Sequence, residues 1–178
     1  MNAMVRCLAM RLLGCFTLLL LAGCVKTAPS STVTTEPIDF TLPSYPSKQP
    51  FTLASERGHV VLLDVWATWC EPCRESLPQY QALMSKYQGR GLRLFALNVD
   101  GEAAVPVEIP KFITETRLSL PILLDTDAKL SEELLKVKMM PTLLMIDRKG
   151  RVRHVHEGFE STSLNEVVAH LELLLNEP

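Results

Sequence analysis

The sequence predicts an α/β domain with a mixed central β-sheet, helices on both faces and a short hairpin at its N-terminal end. Three observations carry this. His59–Trp66 (His-Val-Val-Leu-Leu-Asp-Val-Trp) is a near-continuous β-branched and apolar run, as expected of a central strand buried on both faces. Beyond it, strand-like and helix-like segments alternate, giving the order β-α-β-α-β-α-β-β-α. The last two strands flank Asp147-Arg148-Lys149-Gly150, a turn with glycine at its end, so they pair as an antiparallel hairpin.

Residues 1–23 are different in kind. A basic stretch with Arg6 and Arg11 precedes an apolar run from Leu12 to Ala22, broken by Gly14 and Thr17. A run of about 11 residues is too short to span roughly 30 Å of hydrocarbon and fits a signal-peptide core. It ends in Leu21-Ala22-Gly23-Cys24, which resembles the bacterial lipobox. That resemblance implies cleavage before Cys24 and a lipid anchor on it. The product would be a membrane-anchored lipoprotein of the bacterial envelope, facing the periplasm or extracytoplasmic space. Val25 follows rather than aspartate, which favours the outer membrane if the host is Gram-negative. An ordinary signal sequence with a chance cysteine is the plainer alternative. Residues 24–37, the lipidated cysteine and a Ser/Thr/Pro-rich stretch without apolar period, read as a flexible tether. Such a tether reaches at most about 45 Å and averages about 20 Å end to end.

Residues 38–178 read as one domain. Ile38–Leu42 and Phe51–Leu53 form a hairpin around the turn Pro43–Pro50, and His59–Trp66 is the central strand. A helix starts near Cys70 and runs to about Gln88, stopping at Gly89. Leu92–Val99 is a strand, Val107–Arg117 a helix, Pro121–Leu124 a short strand and Ala128–Lys136 a helix. Thr142–Ile146 and Val152–His156 make the closing hairpin. Ser161 as N-cap, then Leu164, Val167, Val168, Leu171 and Leu174 at three-to-four spacing, mark the last helix.

The chain is 47% hydrophobic and 21% charged, with a net charge of −2. Removing residues 1–23 leaves 16 Lys+Arg against 20 Asp+Glu, a balance that bears on solubility more than on partners. No basic stripe with interleaved aromatics points to nucleic acid. Five cysteines are present: Cys7, Cys15, Cys24, Cys70 and Cys73. The first two lie in the leader and the third would carry the lipid, so one close pair remains. A loop that short constrains the unfolded chain little, so the pair serves chemistry better than stability.

Cys70 and Cys73 stand at a strand-to-helix junction. The unpaired N–H groups and dipole of a helix N-terminus favour an anion, so Cys70 suits the role of thiolate nucleophile. Cys73, three residues on, faces the same side and can resolve the mixed disulfide that Cys70 forms. Pro72 lies early in the helix, where its missing N–H costs nothing, and Glu71 stands between the cysteines beside it. Trp69 offers a flat apolar face beside the nucleophile. A zinc site would need two further ligands. His59, His154, His156 and His170 supply no matching pair, and His154 with His156 reads as a surface feature of one hairpin face. No metal and no cofactor are expected. A structural disulfide without turnover is the plainer reading of the pair.

Asp64-Val65-Trp66-Ala67-Thr68-Trp69-Cys70-Glu71-Pro72-Cys73-Arg74 resembles the thioredoxin superfamily and, within it, the TlpA/ResA-like branch of thiol–disulfide oxidoreductases. The resemblance runs from about Ile38 to Leu175. It implies a thioredoxin-like fold, with an extra helix in the long interval between Asp100 and Pro141. Pro78 matches the proline that kinks the active-site helix. Met140-Pro141-Thr142 matches the cis-proline loop that pairs with a bound peptide. Gly158 matches the glycine that lets a partner approach. The implied clients are exported proteins with disulfides or thiols, apocytochrome c among them, with a membrane thiol carrier as electron donor.

Asp64 lies inside the apolar strand, six residues before Cys70. A carboxylate buried alone is costly, so it should be neutral, hydrogen-bonded or both. The plain alternative is a half-exposed strand acid. The resemblance makes it the buried aspartate that takes the proton of the resolving cysteine, although many TlpA-like proteins carry Asn there. The lysine that partners this aspartate in thioredoxin has no match; Ala96 holds its place. Glu102 lies near the position of a buried glutamate of ResA-like members, displaced by one residue.

Pro72 stands where oxidants of the superfamily often have His, and Glu71 repels a neighbouring thiolate; both favour a reducing pair. Two other readings remain. A peroxidase of the peroxiredoxin type needs Pro and Thr where Leu63 and Ala67 stand. A redox-inactive lipoprotein would bind clients through the Pro141 loop alone.

Overall fold

A computed structural model describes residues 33–178. The leader 1–23, the lipidation candidate Cys24 and most of the tether lie outside the described residues. Among the described residues no helix is long and apolar enough to cross a membrane.

The elements follow in the order β1 (Thr41–Tyr45), β2 (Pro50–Thr52), β3 (Val60–Trp66), α1 (Glu71–Tyr87), β4 (Leu92–Asn98), α2 (Glu108–Thr116), β5 (Ile122–Leu124), β6 (Thr142–Ile146), β7 (Val152–Glu157) and α3 (Leu164–Asn176). One seven-stranded sheet has the order β2-β1-β5-β4-β3-β6-β7. β3, β4 and β5 run parallel, while β6 joins β3, and β1 joins β5, antiparallel. The sheet is therefore mixed, as its hairpin and crossovers predict, and β3 lies inside it with a partner on either side.

Every residue of β3 is buried. Side chains alternate along a strand, so the run feeds two cores. Val60, Leu62 and Trp66 join Leu94, Ala96 and Leu143 in a core closed by Tyr80 of α1, Phe112 of α2 and Leu171 of α3. Val61, Leu63 and Val65 join Leu97, Leu144 and Ile146 on the other face. There the cover is Ile38, Leu53, Leu135 and the flanking Phe40, Phe51 and Leu130. Helices thus line both faces unequally: three α-helices on one, and on the other a π-helical turn, Leu130–Leu134, and a 3-10 turn, Leu53–Glu56, beside the N-terminal segment. Full burial of a Val or Leu side chain contributes about 1.5–3 kcal/mol, so β3 is the sheet's main apolar anchor.

The boundaries sharpen the sequence reading in four places. The N-terminal hairpin begins later than expected, because β1 runs through Pro43 to Tyr45, where Ser44 and Tyr45 pair with Leu123 and Ile122 of β5. The helix expected over Ala128–Lys136 is only the π-helical turn. Ala128 and Lys136 both adopt left-handed backbone angles (φ 56° and 54°), and the chain wraps around buried Asp125, which accepts from Ser131 N–H at 2.8 Å and Ser131 Oγ at 2.6 Å. Ser161 does not cap α3; it opens a 3-10 turn, and Ser163 precedes the helix. Lastly, Thr34, within the expected tether, donates to Val152 O at 2.9 Å and accepts from Val152 N at 3.0 Å, so the chain is held four residues before Ile38.

Candidate active site

β3 delivers the chain to the end of the sheet at Trp66. A loop of Ala67, Thr68 and Trp69 follows, and α1 begins at Glu71 with Cys70 as its N-cap in extended conformation (φ −82°, ψ 104°). Cys70 N–H donates to Ala67 O at 3.1 Å, which closes the turn. Pro72, in the first turn of α1, costs no helical hydrogen bond, and Pro78 lies inside the helix. Cys70 and Cys73 form a disulfide with their Cα atoms 5.3 Å apart. Cys73 is fully buried and Cys70 is 4% exposed. Trp69 beside them is 71% exposed. That ring is an exposed apolar surface rather than a core residue.

On the other side of the pair lies the Met140–Pro141 peptide, which is cis as the resemblance implies. Pro141 O accepts from Gly158 N–H at 2.8 Å, and Gly158 has a left-handed backbone (φ 77°). Met140 and Gly158 line a groove of about 430 Å³ together with Pro72, Met139, Phe159 and Glu160. Cys70, Cys73, Trp69, Met140, Pro141 and Gly158, distant in sequence, therefore come to one end of the sheet. Met139, half exposed, and Phe159, packed edge-on against Tyr80, are wall residues that no motif pointed to.

Asp64 is fully buried, and alternation along β3 turns it with Leu62 and Trp66 toward α1, the face that also holds Cys73. Neither of its carboxylate oxygens has a hydrogen-bond partner. Burial pushes its carboxyl well above the usual carboxylate range. Burial, then the Asp64 charge, likewise pushes the Tyr80 phenol up. The cross-strand neighbour of Asp64 on β4 is Ala96, so the place of a lysine partner is filled by a methyl group. The half-exposed alternative for Asp64 does not hold.

Two acids follow β4, and they differ in fate. Glu102 is exposed and lines a separate cavity of about 410 Å³ with Pro43, Tyr45 and Val105, which contains neither cysteine. It is no buried acid of the redox centre. Asp100, two residues earlier, is buried. It accepts from Thr68 N–H at 2.9 Å, Thr68 Oγ1 at 3.1 Å and Asn98 Nδ2 at 2.7 Å. Asp100 thus fixes the loop that presents Trp69 and Cys70. Its signal in the sequence is the shift from apolar to polar at Asn98 and Asp100, at the C-terminal end of a parallel strand, where α/β sheets place their sites.

Charge around the cysteines is modest. Arg74 Nη1 reaches Glu115 at 2.9 Å and its guanidinium lies 4.8 Å from the centre of the Phe112 ring, tying α2 to the start of α1. Glu71 is 87% exposed and 3.7 Å from Arg74, so solvent and that arginine screen it from a thiolate at Cys70. Leu63 points into the core of the opposite face.

The chain is similar to known proteins in sequence and in fold. The chain is 33% identical over 120 residues to the thiol-disulfide oxidoreductase ResA of Geobacillus thermodenitrificans, covering 67% of this chain and 66% of that protein. It is 32% identical over 106 residues to the ResA of Oceanobacillus iheyensis, covering 60% and 53%. It thus spans about half to two thirds of the length of these relatives. Among solved structures, a putative thiol:disulfide interchange protein DsbE from Chlorobium tepidum superimposes with a TM-score of 0.74 at 30% identity, over 83% of this chain and all of that one. Residues 33–155 match the family model described as AhpC/TSA, and with a thioredoxin-like fold around a Cys-x-x-Cys helix start the chain belongs to the AhpC/TSA family.

Proposed function

We propose that this protein is a thiol–disulfide oxidoreductase that reduces disulfides in exported proteins. The observation that carries the proposal is the Cys70–Cys73 disulfide at the N-terminus of α1, set between exposed Trp69 and the Met140–Gly158 groove. The ResA and DsbE names of the relatives support the same reading.

In the reduced enzyme the helix N-terminus favours the Cys70 thiolate. The thiolate attacks one sulfur of a client disulfide seated in the groove. A mixed disulfide forms, and the first client sulfur leaves as a thiolate and takes a proton. Cys73 then gives its proton to the ionised Asp64 carboxylate and attacks Cys70 Sγ. The Cys70–Cys73 bond forms, the mixed disulfide breaks, and the second client sulfur leaves as a thiolate that takes a proton from solvent. Two electrons pass from the enzyme dithiol to the client, and a membrane thiol carrier restores them. Pro72 before the resolving cysteine favours this direction; screened Glu71 adds little.

The lipobox-like Leu21-Ala22-Gly23-Cys24 supports an envelope lipoprotein, and a role in cytochrome c maturation, with apocytochrome c as client, follows from the ResA resemblance. Peroxide reduction fits less well, because Leu63 and Ala67 offer no groups to position a peroxide.

Trapping tests the proposal. Cys73→Ser should accumulate a mixed disulfide on Cys70 with an exported client, and Cys70→Ala should accumulate none. A Cys70–Cys73 potential as high as that of strong oxidants would overturn the reductive direction, and no captured client would overturn the exchange mechanism.

A further inference from the structure

The sheet edge beyond the active site carries a cluster that the redox chemistry does not use. Asp64 pairs with Leu143 of β6, and Leu143 pairs with His156 of β7. At about 4.8 Å per strand, His156 lies roughly 10 Å from Asp64. His154 and His156 share one face of β7, the face that α3 covers. α3 brings Glu166 and His170, one helical turn apart, over them. The His170 ring stacks on His154 with centroids 3.9 Å apart and planes 9° apart. His170 Nδ1 lies 3.1 Å from His156 Nε2. The ligating atoms of His156, Glu166 and His170 all lie within 4.8 Å of one another. In the sequence His156 and His170 supply no matching ligand pair; the fold joins them with Glu166.

We propose that His156, His170 and Glu166 form a binding site for one divalent transition-metal ion of the zinc and copper class. The short contact between the two rings requires a proton, since one nitrogen must donate and the other accept. A metal ion takes that proton's place and a lone pair from each ring, and the displaced proton moves through solvent to the other nitrogen of its own ring, so that both imidazoles stay neutral. With metal–nitrogen bonds of about 2.0–2.1 Å, two coordinated nitrogens sit roughly 3–3.5 Å apart, so the rings are already spaced for a shared ion. Glu166 is exposed and free to swing its carboxylate onto the same ion. Two imidazoles and one carboxylate are a donor set that zinc and copper accept, with water in the remaining positions. The site is also held ready. The stack on His154 fixes the plane of His170. The site contains neither cysteine, so it stands apart from the redox proposal.

Calorimetric titration of the chelator-stripped chain with Zn²⁺ and, separately, Cu²⁺ tests this. The Cys70–Cys73 disulfide is kept intact and all other cysteines are alkylated, so that no thiolate competes. The expected result is saturable binding of one ion per chain, with a higher melting temperature in the presence of Zn²⁺. Glu166→Gln should weaken binding, and the His156→Ala/His170→Gln double variant should lose both the binding and the thermal shift. Each variant should retain disulfide-reductase activity, which certifies its fold. Absence of saturable binding of either ion, or binding by the double variant equal to that of the parent, would overturn the proposal.

Discussion

The Asp100 carboxylate holds Thr68 twice, through its backbone N–H at 2.9 Å and its hydroxyl at 3.1 Å. Thr68 lies two residues before the N-terminal cysteine, so this contact sets where Trp69 and Cys70 sit. Asp100→Ala leaves the Thr68 N–H and the Asn98 amide without their acceptor in a buried place. The expected loss is about 1–3 kcal/mol of stability, read by denaturant unfolding, with slower capture of a client disulfide by Cys70. Asp100→Asn keeps one acceptor oxygen and should fall between. Stability and capture rate equal to the parent's in Asp100→Ala would remove Asp100 from the positioning of the loop.

Gly158 closes the groove by donating its N–H to Pro141 O at 2.8 Å from a left-handed backbone. A Cβ at this position would meet only Met139 Cε at 3.9 Å, an ordinary contact. The cost of Gly158→Ala therefore comes from the backbone, at about 1–2 kcal/mol. Because Gly158 and Met139 form the groove wall, the kinetic effect should fall on KM for a protein disulfide, with kcat for a small disulfide little changed. A variant with parental stability would mean that the backbone relaxes out of the left-handed region without loss.

Asp147 sits at the hairpin between β6 and β7, nearly buried. Burial raises its carboxyl pKa, but bonds from the Arg151 N–H and side chain, the Arg153 side chain and the Lys149 N–H outweigh burial and hold it below the usual range. A carboxyl whose pKa is lowered on folding adds stability above the unfolded value of about 3.9, and that stability is lost as the pH falls through the lower folded value. Asp147→Asn should cost about 1–3 kcal/mol at neutral pH and flatten the acid limb of the stability profile. Equal acid limbs in parent and variant would show that Asp147 does not drive it.

Much of this architecture was legible because its signals are local. The apolar run of β3, the Cys70-Glu71-Pro72-Cys73 helix start and the turn at Asp147–Gly150 each sit within a few residues of what they specify. Resemblance added Pro141 and Gly158, whose partnership spans 17 residues and has no local signature. What could not be read depends on distant packing. The segment 128–136 has helical composition, yet Asp125 recruits Leu130 and Ser131 and shortens it to a π-helical turn. Asp100 is one polar residue after a strand until the fold sets Thr68 beside it. His170 is one helical position among several until α3 lands on β7.

Asp64 is the residue where stability and chemistry oppose each other. It is sealed from water, its oxygens have no partner and no lysine faces it, so burial alone raises its pKa. Between the unfolded value of about 3.9 and the raised folded value, the native state holds a proton that the unfolded chain does not. Stability is therefore greatest below the ordinary carboxylate range and falls as the pH rises, until Asp64 is ionised in both states. Asp64→Asn keeps the shape and removes the titration. At pH 8 the oxidised variant should exceed the parent in stability by about 1–3 kcal/mol, with the gap narrowing toward pH 4. The reaction should suffer in the opposite sense. Capture of a client by Cys70 should persist, whereas release by Cys73, deprived of its proton acceptor, should slow by about 10²-fold. Denaturant unfolding across pH 4–9 and stopped-flow measurement of the two steps check both halves. Parallel stability profiles would show that Asp64 titrates as an ordinary carboxyl, and an unchanged release rate would assign the Cys73 proton to another acceptor.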